Sequence, residues 1–119
     1  MAHTRPDIAY AVSLLSRAMS CPKPYHYKAA RYVLLYLRRT SHLGLVYRQV
    51  QLEANFASGV IITASVDSSF ADCHQTARST AGFIIWFCGA PMEWECKRQA
   101  LVTMSTMESE YVAASRCVN

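Results

Sequence analysis

Ile8, Val12, Leu15 and Met19 recur at spacings of four, three and four, which marks one face of a helix. Thr4 lies near a cap position, Pro6 suits a first turn, and Asp7 complements the positive end of the helix dipole. Cys21-Pro-Lys-Pro24 ends this helix, because proline pushes the residue before it out of helical geometry. A second helix is expected from about Tyr25 to Arg39, with Ala30, Val33, Leu34 and Leu37 as its buried stripe. Leu43–Tyr47 reads as a short strand, and residues 48–58 lose periodicity like a linker.

The period then changes. Gly59–Val66 is nearly all apolar and rich in β-branched residues, as expected of a central strand buried on both faces and closed by Asp67. Ala81–Phe87 is a second strand, and Gly89-Ala-Pro91 supplies a turn. Met92, Trp94 and Cys96 alternate with Glu93, Glu95 and Lys97, so the third strand should have one apolar and one wet face. Trp86 and Trp94 read as core. Ser105-Thr-Met-Glu108 fits a capping box, opening a last helix whose apolar line is Met107, Tyr111 and Ala114.

Composition narrows the class. The 119 residues suit roughly one domain, and 52% apolar against 17% charged residues excludes a disordered tail. No apolar run approaches the ~20 residues of a membrane span. Met-Ala-His-Thr-Arg-Pro-Asp has no secretory apolar stretch, which makes an intracellular protein the expectation. Five scattered cysteines without a Cys-x-x-Cys pair read as reduced thiols. Cys73-His74 with Cys88 and Cys96 matches no zinc spacing. Charge divides the chain more sharply than its total of +4 suggests. Residues 1–48 hold eight Lys or Arg and one acid, and residues 49–119 hold four against seven. Lys28, Arg31 and Arg38 share one side of the second helix, joined by Arg39, with Tyr27 and Tyr32 among them. Such a line suits a phosphate backbone; a merely solvated helix face is the competing reading.

Two carboxylates stand out. Asp67 closes a strand, where a rigid element can aim it, although it also suits a turn-capping aspartate. Glu108 is committed to the cap, and Glu110, about 200° round the helix, is free of it. Small residues at 113 and 114 let that helix press on the sheet and bring Glu110 beside Asp67. Paired carboxylates suit Mg²⁺-dependent phosphodiester hydrolysis. They also suit glycoside hydrolysis, but the basic first module favours a nucleic-acid substrate. Asp72, in an expected loop, is not counted as a ligand. His26, His42 and His74 have no acid or serine partner at a motif spacing and read as surface or packing residues.

In order along the chain, Thr4–Val12, Leu15-Ser-Arg17, Arg31–Leu37 and Gly44–Tyr47 resemble a stretch of copia-type retrotransposon Pol polyprotein. That stretch is where the reverse transcriptase ends and ribonuclease H begins. Ser65-Val-Asp67 with Phe70-Ala71, Ser79–Phe83, Trp94–Gln99 and Ser105–Tyr111 continue the resemblance through three strands and a helix. Ser69, Phe70 and Ala81 depart from the family's usual acid, Trp and Ser.

The resemblance implies an α+β chain in three parts: a thumb-like basic helical hairpin with a short strand at 1–48, a linker at 49–58, and the first half of a ribonuclease H-like β-β-β-α domain at 59–119. It implies Asp67 and Glu110 as catalytic, Mg²⁺-binding residues of a complete enzyme that cuts RNA in RNA–DNA hybrids. Lys28, Arg31, Arg38 and Arg39 would contact the hybrid or template–primer. The remainder of Pol would be a partner, in the cytoplasm, a virus-like particle or the nucleus. Two of the family's four carboxylates have no counterpart among these residues, so hydrolysis by this polypeptide alone is expected to be weak. The alternative expectation is a non-catalytic nucleic-acid-binding remnant using the basic hairpin.

Overall fold

Residues 4–47 and 62–118 are described by the structure, a computed structural model. They form three α-helices and a three-stranded antiparallel sheet, a mixed α+β fold. The chain divides into two compact units, Met1–Leu45 and Val46–Asn119. The expected linker at 49–58 and the first three positions of the expected strand at 59–66 lie outside the described residues.

In the first unit Pro6–Ile8 forms one 3₁₀ turn, and helix α1 follows over Ala9–Ser16. Arg5, next after Thr4, holds the N-cap position, without a side-chain cap bond. α1 ends before the Cys-Pro-Lys-Pro segment and leaves Met19, expected on its buried face, exposed. Ile8 is the buried member of that face. Helix α2 spans Pro24–Arg39. Its first turn is closed by His26, whose Nδ1 accepts the Lys23 N–H at 2.9 Å, which gives that histidine a capping role. Ala30, Val33 and Leu37 are half-buried, whereas Leu34 is exposed. Residues 43–47 form no strand with any of the described residues.

In the second unit, strands β1 (Ile62–Ser69), β2 (Thr80–Phe87) and β3 (Ala90–Arg98) lie in the order β1-β2-β3. β2 is the central strand. β1 is an edge strand among the described residues and is exposed along most of its length, so the expectation of a twice-buried central strand at this position is corrected. Its β-branched composition is realised in pairing with β2 alone. The turn after β2 is Cys88-Gly89, both at positive φ (47° and 79°), one residue earlier than Gly89-Ala-Pro91 suggested. Two positive-φ residues make the turn whose twist matches antiparallel strands. A register shift between Ile85 and Trp86 leaves Met92 as the extra residue of a bulge. Pro91 sits beside it on the other edge strand, where a missing N–H is tolerated, and its carbonyl accepts from the Tyr47 hydroxyl.

Helix α3 (Thr106–Val118) packs over β1 and β2. Directly paired residues share a face, so Ser68, Ala81 and Lys97 stand on one side, as do Val66, Phe83 and Glu95. α3 covers this side: Ser68 meets Ser109, and Arg116 pairs with Glu95 at 2.6 Å. α3 reaches β3 through that ion pair; Glu93 and Lys97 on the same side stay exposed, while Trp94 and Cys96 on the other are half-buried, as the alternation along β3 predicts. α3 seats on Ser109 and Ala113, small enough for close approach, and leaves Met107 (80% exposed) and Tyr111 (77%) outside with Ala114. The expected apolar line is the outer face. Trp86 and Trp94 are half-buried.

Candidate functional site

α3 begins at Ser105, whose hydroxyl accepts the Glu108 N–H at 3.1 Å. Glu108 reaches back to the Met104 N–H at 2.6 Å, one residue before the cap. Both ends of the capping box are thereby occupied, and Glu108 is withdrawn from other roles. Two residues on, Glu110 is exposed, and its Oε1 accepts the Ser68 backbone N–H at 3.3 Å. Ser68 immediately follows Asp67. The helix has thus brought Glu110 to the backbone of the residue beside the other candidate carboxylate.

Because the Ser68 N–H is given to Glu110, it points away from β2, toward the edge of β1 on which no strand lies among the described residues. Successive side chains alternate along a strand, so Asp67 projects from the face opposite Ser68. Asp67 is exposed. The two carboxylates supply hard oxygen donors of the kind Mg²⁺ takes, in number only part of a full ligand set. Among the described residues no group of three or more His, Cys, Asp and Glu side chains is arranged to hold a metal ion. Asp72 is engaged elsewhere: both of its oxygens lie 2.7 Å from the Thr80 hydroxyl.

Beneath this edge lies a buried polar cluster. Ser79, Thr80, Gln99, Thr103 and Ser109 are all buried. The Ser109 hydroxyl donates to the Thr106 carbonyl at 2.8 Å, so Ser68 supplies the proton of the 2.8 Å Ser68–Ser109 hydroxyl bond. The Ser79 and Thr103 hydroxyls meet at 3.0 Å, and the Ala71 N–H donates to Ser79. Gln99 donates its backbone N–H to the Ser79 carbonyl and its Nε2 to the Ser109 carbonyl, at 2.8 and 2.9 Å. Sequence reasoning placed none of these residues in the site. Ser79, Thr80, Gln99 and Ser109 fall in the segments 79–83, 94–99 and 105–111 that carry the resemblance, and Thr103 falls in none of them.

In the first unit, Lys28, Arg31, Arg38 and Arg39 are all exposed on α2, with Tyr27 and Tyr32 exposed among them. No ion pair is formed by these four side chains among the described residues. None of the five cysteines forms a disulfide. Cys73 is distinctive among them: a hydrogen bond from Thr76, then one from Arg98 (Nη1 to Sγ 3.3 Å), lowers its thiol to about 6. Thr76 is a local partner, whereas Arg98 comes from β3, 25 residues away, which no local spacing marks.

Comparison with known proteins adds the lineage. No protein-family model and no solved structure matches the chain. It is 36% identical over 115 residues to a transposon Ty5-1 protein of Saccharomyces cerevisiae, a match covering 96% of this chain and 35% of that protein. It is 34% identical to the retrovirus-related Pol polyprotein from transposon TNT 1-94 of Nicotiana tabacum, over 97% of this chain and 8% of the polyprotein. The secreted RxLR effector protein 161 of Plasmopara viticola is 35% identical, with 97% of this chain and 76% of that protein covered. The chain therefore spans about a third of the Ty5-1 protein and under a tenth of the tobacco polyprotein. No helix among the described residues is long and apolar enough to cross a membrane. Along nearly its whole length, therefore, the chain is related to retrotransposon Pol proteins, of which it spans only a part.

Proposed function

We propose that this chain is the stretch of Pol in which a reverse transcriptase passes into ribonuclease H, and that Asp67 and Glu110 belong to a Mg²⁺ site for cutting RNA in RNA–DNA hybrids. The observation that carries this reading is the Glu110 carboxylate resting on the Ser68 N–H, next to Asp67, at the edge of β1. An edge is where the two faces of a sheet meet, so a carboxylate from one face and another reaching in from the edge have a common place to hold an ion. When bound, Mg²⁺ supplies a Lewis acid and an activated water. Asp67 and Glu110 provide negative charge and hard oxygen donors, and the rigid strand and capped helix fix where those donors stand. The remaining ligands would come from the rest of Pol.

The exposed bases of α2 support the accompanying claim that the first unit grips the hybrid. Lysine and arginine facing phosphates release condensed counterions, so affinity falls as salt rises. With a labelled RNA–DNA hybrid, binding should weaken steeply with salt, and the slope should shrink when Lys28, Arg31, Arg38 and Arg39 are neutralised together. Cleavage in Mg²⁺ should be slight and should vanish in Asp67→Asn. Binding without any cleavage would favour the non-catalytic remnant, which the same exposed bases support. Cleavage that survives Asp67→Asn would overturn the assignment of the site.

A further inference from the structure

We infer that Gln99 is a positioning residue for Glu110: its side-chain amide holds α3 on the sheet at the one register that delivers Glu110 to the edge of β1. This rests on the cation-site reading above and names a residue on which that site depends.

Gln99 follows the last residue of β3 and is 1% exposed. Its backbone is tied to the start of β2 through the Ser79 carbonyl. Its Nε2 reaches the carbonyl of Ser109, the residue before Glu110. A single side chain therefore joins the sheet to the helix one residue from the carboxylate. The second tie at the same level, the Ser68–Ser109 hydroxyl pair, connects to β1. Gln99, just past β3, and Ser68, on β1, thus hold Ser109 from two places on the sheet, and Glu110 has its position fixed as the next residue along.

The amide is an expensive choice for packing alone. Its Oε1 is buried and has no hydrogen-bond partner among the described residues. A buried acceptor left without a donor is destabilising, whereas an apolar side chain of similar volume carries no such penalty. What Gln99 supplies and leucine does not is the donor to Ser109. Elsewhere the helix is held by contacts with less directional demand: Ala113 packs against the sheet, and Arg116 pairs with Glu95 near the far end. Without the amide, α3 keeps these contacts and gains freedom at its first turns, where Glu110 sits.

Hydrogen exchange, read by NMR on the whole chain without metal, separates positioning from general stability. In the native chain the Ser68 amide is protected by Glu110, so Glu110→Ala should accelerate its exchange at least tenfold. Gln99→Leu should do the same at Ser68 while Phe83 and Ile85, in the middle of β2, keep native protection. A purely structural role would instead weaken all these amides together. Native protection of Ser68 in Gln99→Leu, or uniform loss across β2, overturns the inference. Should that variant fail to fold, the native chain still decides. One Gln99 side-chain amide proton should exchange at least a hundredfold more slowly than those of exposed Gln75, and equal exchange overturns the bond on which everything here depends. Neither readout uses a cation, so failure to bind metal counts against the proposed function and leaves this inference standing.

Discussion

Arg5 and Asp7 face each other across a single proline and make two charge-assisted bonds, Nε to Oδ1 at 3.0 Å and Nη2 to Oδ2 at 2.7 Å. Tyr36 donates to the same carboxylate at 2.8 Å, and Arg5 also binds the carbonyl and hydroxyl of Thr40. These bonds fasten the start of the chain to the end of α2. Arg5, above all, holds the Asp7 carboxyl down at about 2, below its ordinary 3.8. A carboxyl whose folded value is depressed contributes stability that is complete above the unfolded value and is lost as pH falls through the folded one. Asp7→Asn should therefore lower the melting temperature at pH 6, and the gap between variant and native chain should close as pH falls from 4 toward 2. Because the pair is partly exposed, the loss is under about 1 kcal/mol. A gap independent of pH in thermal melts would contradict the role given to this carboxylate. The sequence showed Asp7 only as a partner for a helix dipole; its partner 29 residues away is a tertiary fact that no local spacing encodes.

The elements divide by what kind of information locates them. α2, α3 and the three strands were legible because period and capping are local properties: Ser105 and Glu108 announce α3, and Pro24 opens α2. Which face each element buries was less so. α3 packs through Ser109 and Ala113, since small residues permit the close approach that Met107 and Tyr111 prevent. β3 is linked to the helix by the Arg116–Glu95 ion pair, a partnership that no local spacing encodes. The β2–β3 turn was mislocated by one residue because Cys88 gives no sign of a positive φ, a conformation costing a non-glycine residue on the order of 1–2 kcal/mol. Asparagine tolerates it best among side chains, and Asn-Gly is the favoured pair for this turn. Cys88→Asn should raise the denaturation midpoint by the equivalent of about 0.5–1 kcal/mol, and Cys88→Val should lower it, the β-branch being worst placed at positive φ. Equal midpoints for the two variants in urea would show that the turn is not under this constraint.

For the whole molecule, the division of charge along the sequence and the division of the structure into two units tell a consistent story. The exposed bases of α2 lie in the first unit, and both candidate carboxylates lie in the second. Asp67 and Glu110 draw notice separately in the sequence, one after an apolar run and one after a capping box, but β1 continues to Ser69, so Asp67 stands within the strand and does not close it. The supporting cluster of Ser68, Ser79, Gln99, Thr103 and Ser109 was not legible, because uncharged polar residues look alike in sequence whether buried or wet. Its function emerges only when three strands and a helix are assembled. The cation site and the positioning role given to Gln99 converge on the edge of β1 where Glu110 meets the Ser68 N–H. Mn²⁺ serves as a paramagnetic stand-in for Mg²⁺ there, since both take oxygen ligands in octahedral geometry. Titrated into the chain, it should broaden the NMR signals of Asp67 and Glu110 in step, and either Asp67→Asn or Glu110→Gln should abolish the broadening at both. Broadening at one carboxylate without the other, or broadening untouched by either substitution, would show that the two acids do not share a cation.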